Sequence, residues 1–312
     1  MTTTGRMRAW DQRVPRVTSV HPEHDEPDLR VQLAASDLGE LLESPRWHAV
    51  RQRISLVDIP TGRLFEIAPN SGTVVEYSTG LAPLGAALPM GNGYLLVGSD
   101  CVWHWDPARP VGQMTRWGDI PSSPDIMSND AILHDGAVWV GRMDSSETAG
   151  RGSVWRITPS SSTLVVADLT LPNGMVLAPD GKSMLLAESK HRCIYRVPLD
   201  AKGLGARQLE VFLDLPDWTP DGLAWDALGR LWVARWSEGR VTCVSEPSGV
   251  EDVVLSTPQV TAVAFDHTGK MYITTAREGF TEVERRSDPD AGSVFTFGSP
   301  QPEAIDHGKR GK

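Results

Sequence analysis

The stretch at residues 227–246, "ALGRLWVARWSEGRVTCVSE", holds two runs of alternating apolar residues separated by a polar break, led by a glycine turn. The same pattern returns at 134–158 ("HDGAVWVGRM" then "GSVWRIT"), at 179–200 ("PDGKSMLLAESKHRCIYRVPLD") and at 267–298 ("HTGKMYITTAREG" then "GSVFTFG"). Residues 51–77 and 91–107 fit it less cleanly. Alternation at period two predicts strands, and few windows carry the spacing of an amphipathic helix, which excludes a helical solenoid. The repeat length of about 40–47 residues is that of a propeller blade. A further short strand precedes most units, as in "NGMVLAP", "DGLAWD" and "TAVAFD". Four strands in each of six units predict an all-β chain folded as a six-bladed β-propeller. The segment "LRVQLAASD" (29–37) is placed to pair with the last blade and close the ring. Residues 29–312 then form one domain, preceded by a loose polar arm at 1–28.

The chain has 312 residues, 40% of them hydrophobic and 22% charged, and a net charge of −10. An acidic surface repels nucleic acid and anionic membranes, so a small-molecule substrate and a cation are the expected partners, with the protein a monomer or weak homo-oligomer. No run approaches the roughly 18 apolar residues that span a bilayer. Cys101, Cys193 and Cys243 each sit in a strand-like run without metal or disulfide spacing, which points to buried free thiols and a cytoplasmic location.

In a propeller the innermost strands line a central channel, so polar residues at the same phase of each repeat converge at one mouth. Glu43 in "LLESPRW", Asn129 in "MSNDAIL", Asn173 in "LPNGMVL" and Asp221 in "TPDGLAW" share that phase. The triplet Pro220-Asp221-Gly222 reads as a turn, as does the acidic hairpin at Asp226 that recurs at Asp180 and Asp266. Two carboxylates and two amides at a channel mouth make a central-channel metal site of hard oxygens, suited to Ca²⁺, Mg²⁺ or Mn²⁺, with Zn²⁺ also admissible.

The stretches "ESPRW", "LVDIPTGRL", "VWVGRMD", "LPNGMVLAPDGKSMLLAES", "PDGLAWDALGRLWVARWSEGRV" and "MYITTAREGFTEVER" together resemble the SMP-30/gluconolactonase (regucalcin-like) family, from about Leu41 to Phe297. The resemblance implies one divalent metal, calcium first, on Glu43, Asn173 and Asp221, with Asn129 as a further ligand or substrate contact. It also implies a lactonase that opens a sugar lactone with Asp221 as general base. The family's lactonases commonly carry a substrate-binding arginine where this chain has Met127, which removes a five-donor fork. Arg142 and Arg235 are the candidates to compensate, and Trp47, Trp218 and Trp236 are expected near the mouth. The substrate-contact set is thus Asn129, Met127, Arg142, Arg235, Trp47 and Trp236. His48 is expected to be structural, the mixed-charge stretch at 276–292 to be a solvated connection or lid, and no G-x-S-x-G nucleophile elbow is present. The alternatives to a sugar lactonase are a non-sugar lactone or ester hydrolase, a cyclisation or lyase enzyme, and a non-catalytic calcium-binding propeller.

Overall fold

The computed structural model describes residues 30–245 and 249–298. The arm expected at 1–28 lies outside them. The strands form six sheets, five of four strands and one of five. The five four-strand sheets and the first four strands of the five-stranded one are antiparallel, and the extra strand, Leu204–Gly205, adds in parallel to the outer edge of the third blade. The innermost strands are Leu42–His48, Ala86–Met90, Ile126–His134, Pro172–Leu177, Pro220–Trp225 and Val260–Phe265, in blades 1 to 6. The ring is closed by Val31–Ala35, which pairs antiparallel with Val294–Phe297 as the outer strand of blade 6. No helix among the described residues is long and apolar enough to cross a membrane.

Each blade is buried on both faces, so successive residues of a strand pack against opposite neighbours. Met184 and Leu186 join a cluster with Trp139 and Val154 of blade 3. Leu185 and Ala187, between them in sequence, join Leu231 and Val233 of blade 5. Six such clusters occupy the six blade-to-blade interfaces, including the closing one, where Leu42 and Leu56 meet Tyr272 and Val294. Burying each large aliphatic side chain contributes about 1.5–3 kcal/mol. Cys101, Cys193 and Cys243 are buried, and none is in a disulfide among the described residues.

The inner strands depart from regular pairing at one shared place. The register shifts between Glu43 and Arg46, Ser128 and Ala131, Pro172 and Met175, Pro220 and Leu223, and Val260 and Ala262. A bulge leaves residues unpaired and re-aims their side chains. Asn129, Asn173 and Asp221 sit inside these bulges, and Glu43 borders one. Blade 2 alone keeps a continuous register, from Ala86 opposite Val97 to Met90 opposite Gly93, and contributes none of the four residues.

The Pro220-Asp221-Gly222 triplet is therefore the start of a strand, not a turn. Proline at a strand's first residue costs no ladder bond. The glycines have a different purpose from a left-handed corner: a Cβ on Gly174 would lie 2.5 Å from the Asp221 carbonyl oxygen, and one on Gly222 would lie 2.4 Å from the Ala262 Cβ. They let neighbouring inner strands approach around the channel. The hairpins at Asp180, Asp226 and Asp266 are turns as expected, each carboxylate accepting the backbone N–H two residues on.

Candidate metal and active site

Glu43, Asn129, Asn173 and Asp221 come together in one pocket of about 280 Å³ at the mouth where the inner strands begin. All four are nearly buried, at 3–8% exposure. Leu41, Leu171, Met143 and Trp236 supply its apolar wall, and Ser189, Glu147, Lys190, Arg192 and Glu278 complete the polar one.

The amides are oriented by their neighbours. Asn173 Nδ2 donates to Ser189 Oγ at 3.3 Å, and Ser189 Oγ donates onward to the Pro220 carbonyl at 2.7 Å. This leaves Asn173 Oδ1 buried with no donor. Asn129 Nδ2 donates to the Pro172 carbonyl at 3.2 Å. Asp221 Oδ1 is likewise buried without a donor, while Glu43 Oε2 accepts only the Ser44 N–H, at 3.1 Å. An unpartnered buried oxygen costs about 1–3 kcal/mol, and the site carries two of them side by side in chain phase.

The electrostatics point the same way. Burial, and then the charge of Asp130, pushes the Glu43 carboxyl up to about 8. Burial, followed by the charges of Glu43, Asp130 and Glu278, lifts Asp221 well above the ordinary aspartate range. Glu278 is also raised, by burial and by Glu147. Like charges in a dry pocket oppose one another's ionisation, and a bound cation reverses that preference. Among the described residues no three His, Cys, Asp or Glu side chains form a metal cluster, and no His or Cys lines this pocket. It offers carboxylate and amide oxygens, the donors that a hard divalent cation takes.

Asp130, next to Asn129, is not orphaned. It accepts from Arg46 Nη2 at 2.8 Å, from the Ala131 N–H at 2.8 Å and from the Met175 N–H at 3.2 Å. Arg46 reaches from the other side and lines the second cavity, about 540 Å³ at the opposite mouth. The Arg46–Asp130 pair thus stands between the two mouths.

Of the remaining substrate candidates, Trp236 lines the site pocket and four residues do not. Trp47 lies in the cavity of the opposite mouth, stacked on His267 with ring centroids 4.9 Å apart. Four residues after Glu43 on one strand amount to roughly 13 Å of travel. Arg142 is buried with its guanidinium spent on the carbonyls of Pro121, Ser99 and Ile126. Arg235 is held by Glu238 and lies over the Trp218 ring at 4.7 Å. Met127 packs in the apolar cluster between blades 1 and 2. His48 is structural, its Nε2 3.0 Å from the Gly93 carbonyl. The stretch at 276–292 includes a short exposed helix, Glu282–Ser287, and sends Glu278 to the pocket.

Sequence reasoning missed Ser189, Lys190, Arg192, Glu147 and Glu278. A signal existed for the first three. In an antiparallel blade the turn after the second strand returns to the face where the inner strand starts, and Ser189–Arg192 is the blade 4 counterpart of the turn that carries Trp236 in blade 5.

The comparisons with known proteins agree with this architecture. The SMP-30/gluconolactonase/LRE-like region matches residues 41–277. An L-arabinolactonase of Azospirillum brasilense is 32% identical, over 86% of this chain and 92% of its own. A pentonolactonase of Haloferax volcanii is also 32% identical, over 75% of this chain and 81% of its own. Among solved structures, a calcium-binding protein, regucalcin, from Agrobacterium tumefaciens superposes with a TM-score of 0.77 at 27% identity, covering 85% of this chain and 92% of that one. By the extent of these matches the chain belongs to the SMP-30/gluconolactonase/LRE-like family.

Proposed function

We propose that the protein is a divalent-metal-dependent hydrolase that opens a small lactone, with Asp221 as its general base. The observation that carries this reading is the pair of buried, donor-free oxygens on Asn173 and Asp221, beside Glu43, in a pocket of small-molecule size. The lactonase names of the relatives support the reaction class, and the calcium-binding regucalcin supports calcium as the cation. Mg²⁺, Mn²⁺ and Zn²⁺ are the competing ions.

Glu43, Asn173 and Asp221 would hold the cation, with Asn129 as a further ligand or substrate contact. A cation held there would supply polarisation of the lactone carbonyl and a counter-charge for the oxygen on which negative charge develops. Asp221 takes a proton from the attacking water. It can accept because no protein donor occupies its Oδ1. As the ring C–O bond breaks, the same proton passes from Asp221 to the leaving ring oxygen, so the carboxylate is restored and a hydroxy acid departs. Asn129, fixed by the Pro172 carbonyl, orients the substrate. Leu171 and Trp236 exclude bulk water from the reacting end.

Elemental analysis of protein purified without chelator, followed by hydrolysis assays with glucono-1,5-lactone and L-arabinono-1,4-lactone, tests the reading. One equivalent of a divalent metal and chelator-sensitive hydrolysis are expected. A metal-free protein that is inert toward both lactones after reloading with each of the four ions would overturn it.

A further inference from the structure

We propose that Arg192 recognises a negatively charged substituent on the substrate, so that the lactone accepted is an anionic one, carrying a phosphate, sulfonate or carboxylate away from the reacting carbonyl. This rests on the hydrolase reading for the reaction but on separate residues for the recognition.

The first support is a comparison within the ring. Blades 1, 4 and 5 join their second and third strands by turns of matching length, at 59–62, 189–192 and 236–239. The last residue of each is left-handed, with φ of 67° at Gly62, 52° at Arg192 and 62° at Gly239. Glycine takes this conformation without steric penalty, whereas a residue with a Cβ does not. The left-handed corner favours glycine, and two blades have it, Gly62 also because a Cβ there would collide with the Leu81 carbonyl oxygen. In blade 4 the position is given to a long cation at a conformational cost.

The second support is where that cation sits. Arg192 is exposed and lines the site pocket. Its Nη1 donates to the Pro216 carbonyl at 3.0 Å, which fixes the guanidinium without neutralising it. Among the described residues no carboxylate is within ion-pair distance of it. The neighbouring Lys190 is different, being ion-paired with Glu147 across the rim. The buried acids Glu43 and Asp221 belong to the metal end. Arg192 is thus a pocket cation with no acidic partner in the described fold, and a planar guanidinium suits bidentate contact with phosphate, sulfonate or carboxylate.

The structural explanation, that Arg192 merely props the turn, is opposed by Gly62 and Gly239, which close the same turn with no side chain. Substitution to glycine is accordingly a gentle test. Metal-loaded wild type and Arg192→Gly are compared on 6-phospho-glucono-1,5-lactone and glucono-1,5-lactone, with Arg192→Lys as the charge-retaining control. Wild type is expected to favour the phosphorylated lactone in kcat/KM. In Arg192→Gly that preference falls about tenfold or more, through KM rather than kcat, with partial retention in Arg192→Lys and a melting temperature no lower than wild type. A preference for the neutral lactone in wild type, or one that Arg192→Gly leaves in place, overturns the assignment.

Calorimetric binding of 6-phosphogluconate against gluconate to the metal-loaded protein separates the two readings. If wild type hydrolyses neither lactone, the hydrolase reading falls, while weaker 6-phosphogluconate binding in Arg192→Gly still upholds the anion contact. Equal binding by both proteins removes it.

Discussion

The inner strand of blade 5, Pro220–Trp225, begins and ends beside an aspartate, and the two have opposite surroundings. Asp226, just past the strand's end, accepts from the Leu228 and Arg230 N–H groups at 2.9 Å, from Arg230 Nε at 2.6 Å and from Trp232 Nε1 at 3.0 Å. Burial pushes its carboxyl up, but the bonds from Trp232 and Arg230 outweigh that and hold it below the ordinary value. Asp221, inside the bulge near the start, is more deeply buried and has an oxygen without any donor. Its carboxyl is raised by burial and by Glu43. Asp226 is surrounded by donors, whereas the donor-free Oδ1 of Asp221 is the oxygen the proposed cation would satisfy. Glu66 repeats the satisfied case between blades 1 and 2, where Arg51, Tyr94 and Tyr77 outweigh burial and lower its carboxyl.

The sharpest way to break this contrast is to neutralise each aspartate in turn. Asp221→Asn is expected to reduce lactone hydrolysis by about 10³-fold, the scale of a lost general base, while the melting temperature of the chelated protein stays level or rises. Hydrolysis at wild-type rate in that variant would remove the base assignment. Asp226→Ala should do the reverse, costing roughly 2–3 kcal/mol in denaturant unfolding because several donors lose their acceptor, with kcat/KM per folded molecule retained. Loss of activity without loss of stability would erase the distinction between the two residues.

A smaller effect separates them by pH. Glu43 has a raised folded-state value, about 8 against an ordinary 4.5, so the chelated folded protein binds more protons than the unfolded chain between those values. Stability from this group is complete below about 4.5 and is lost as pH rises toward 8. Thermal unfolding across that window should show chelated protein weakening with pH, and calcium stabilising it more at each step. Asp226, being lowered, acts oppositely: its contribution is present above the ordinary 3.8 and is lost as pH falls through the folded value. A calcium effect that is flat with pH would detach Glu43 from the ion. The smallest effect belongs to the opposite mouth, where Trp47→Ala should leave kcat/KM within about twofold, since stacking on His267 far from the pocket affects packing rather than chemistry. A tenfold change would join the two mouths functionally.

The repeat length and the short apolar runs that recur with it made the ring legible, because the middle strands of each blade are buried on both faces and read as near-continuous apolar runs. The strand Val31–Ala35, half-buried to exposed, was legible instead from the need for a strand to close the ring against the last blade. The four oxygen-bearing residues were readable as equivalents of one another, but their setting was not. A bulge is a pairing irregularity, so Asp221-Gly222 looks like a turn until its partner strand is placed. The arginines were misleading for a related reason. Arg142 follows an inner-facing run, yet the direction of its side chain depends on which carbonyls the adjacent loop presents, and those of Ser99 and Pro121 come from blade 2. Arg192 was hidden in a turn whose glycine-like backbone no side-chain pattern reveals.

Ring closure also has a consequence in time. Val31–Ala35 can be covered only when Val294–Phe297 is available to pair with it, so blade 6 waits for a strand made some 260 residues later than its partner. The interface of blade 6 with blade 1 includes Leu42, the residue beside Glu43. During synthesis, then, blades 3 to 5 can present Asn129, Asn173 and Asp221 while Glu43 still lacks its final frame. In the proposed metal site, the residue framed last, Glu43, therefore belongs to the first blade made.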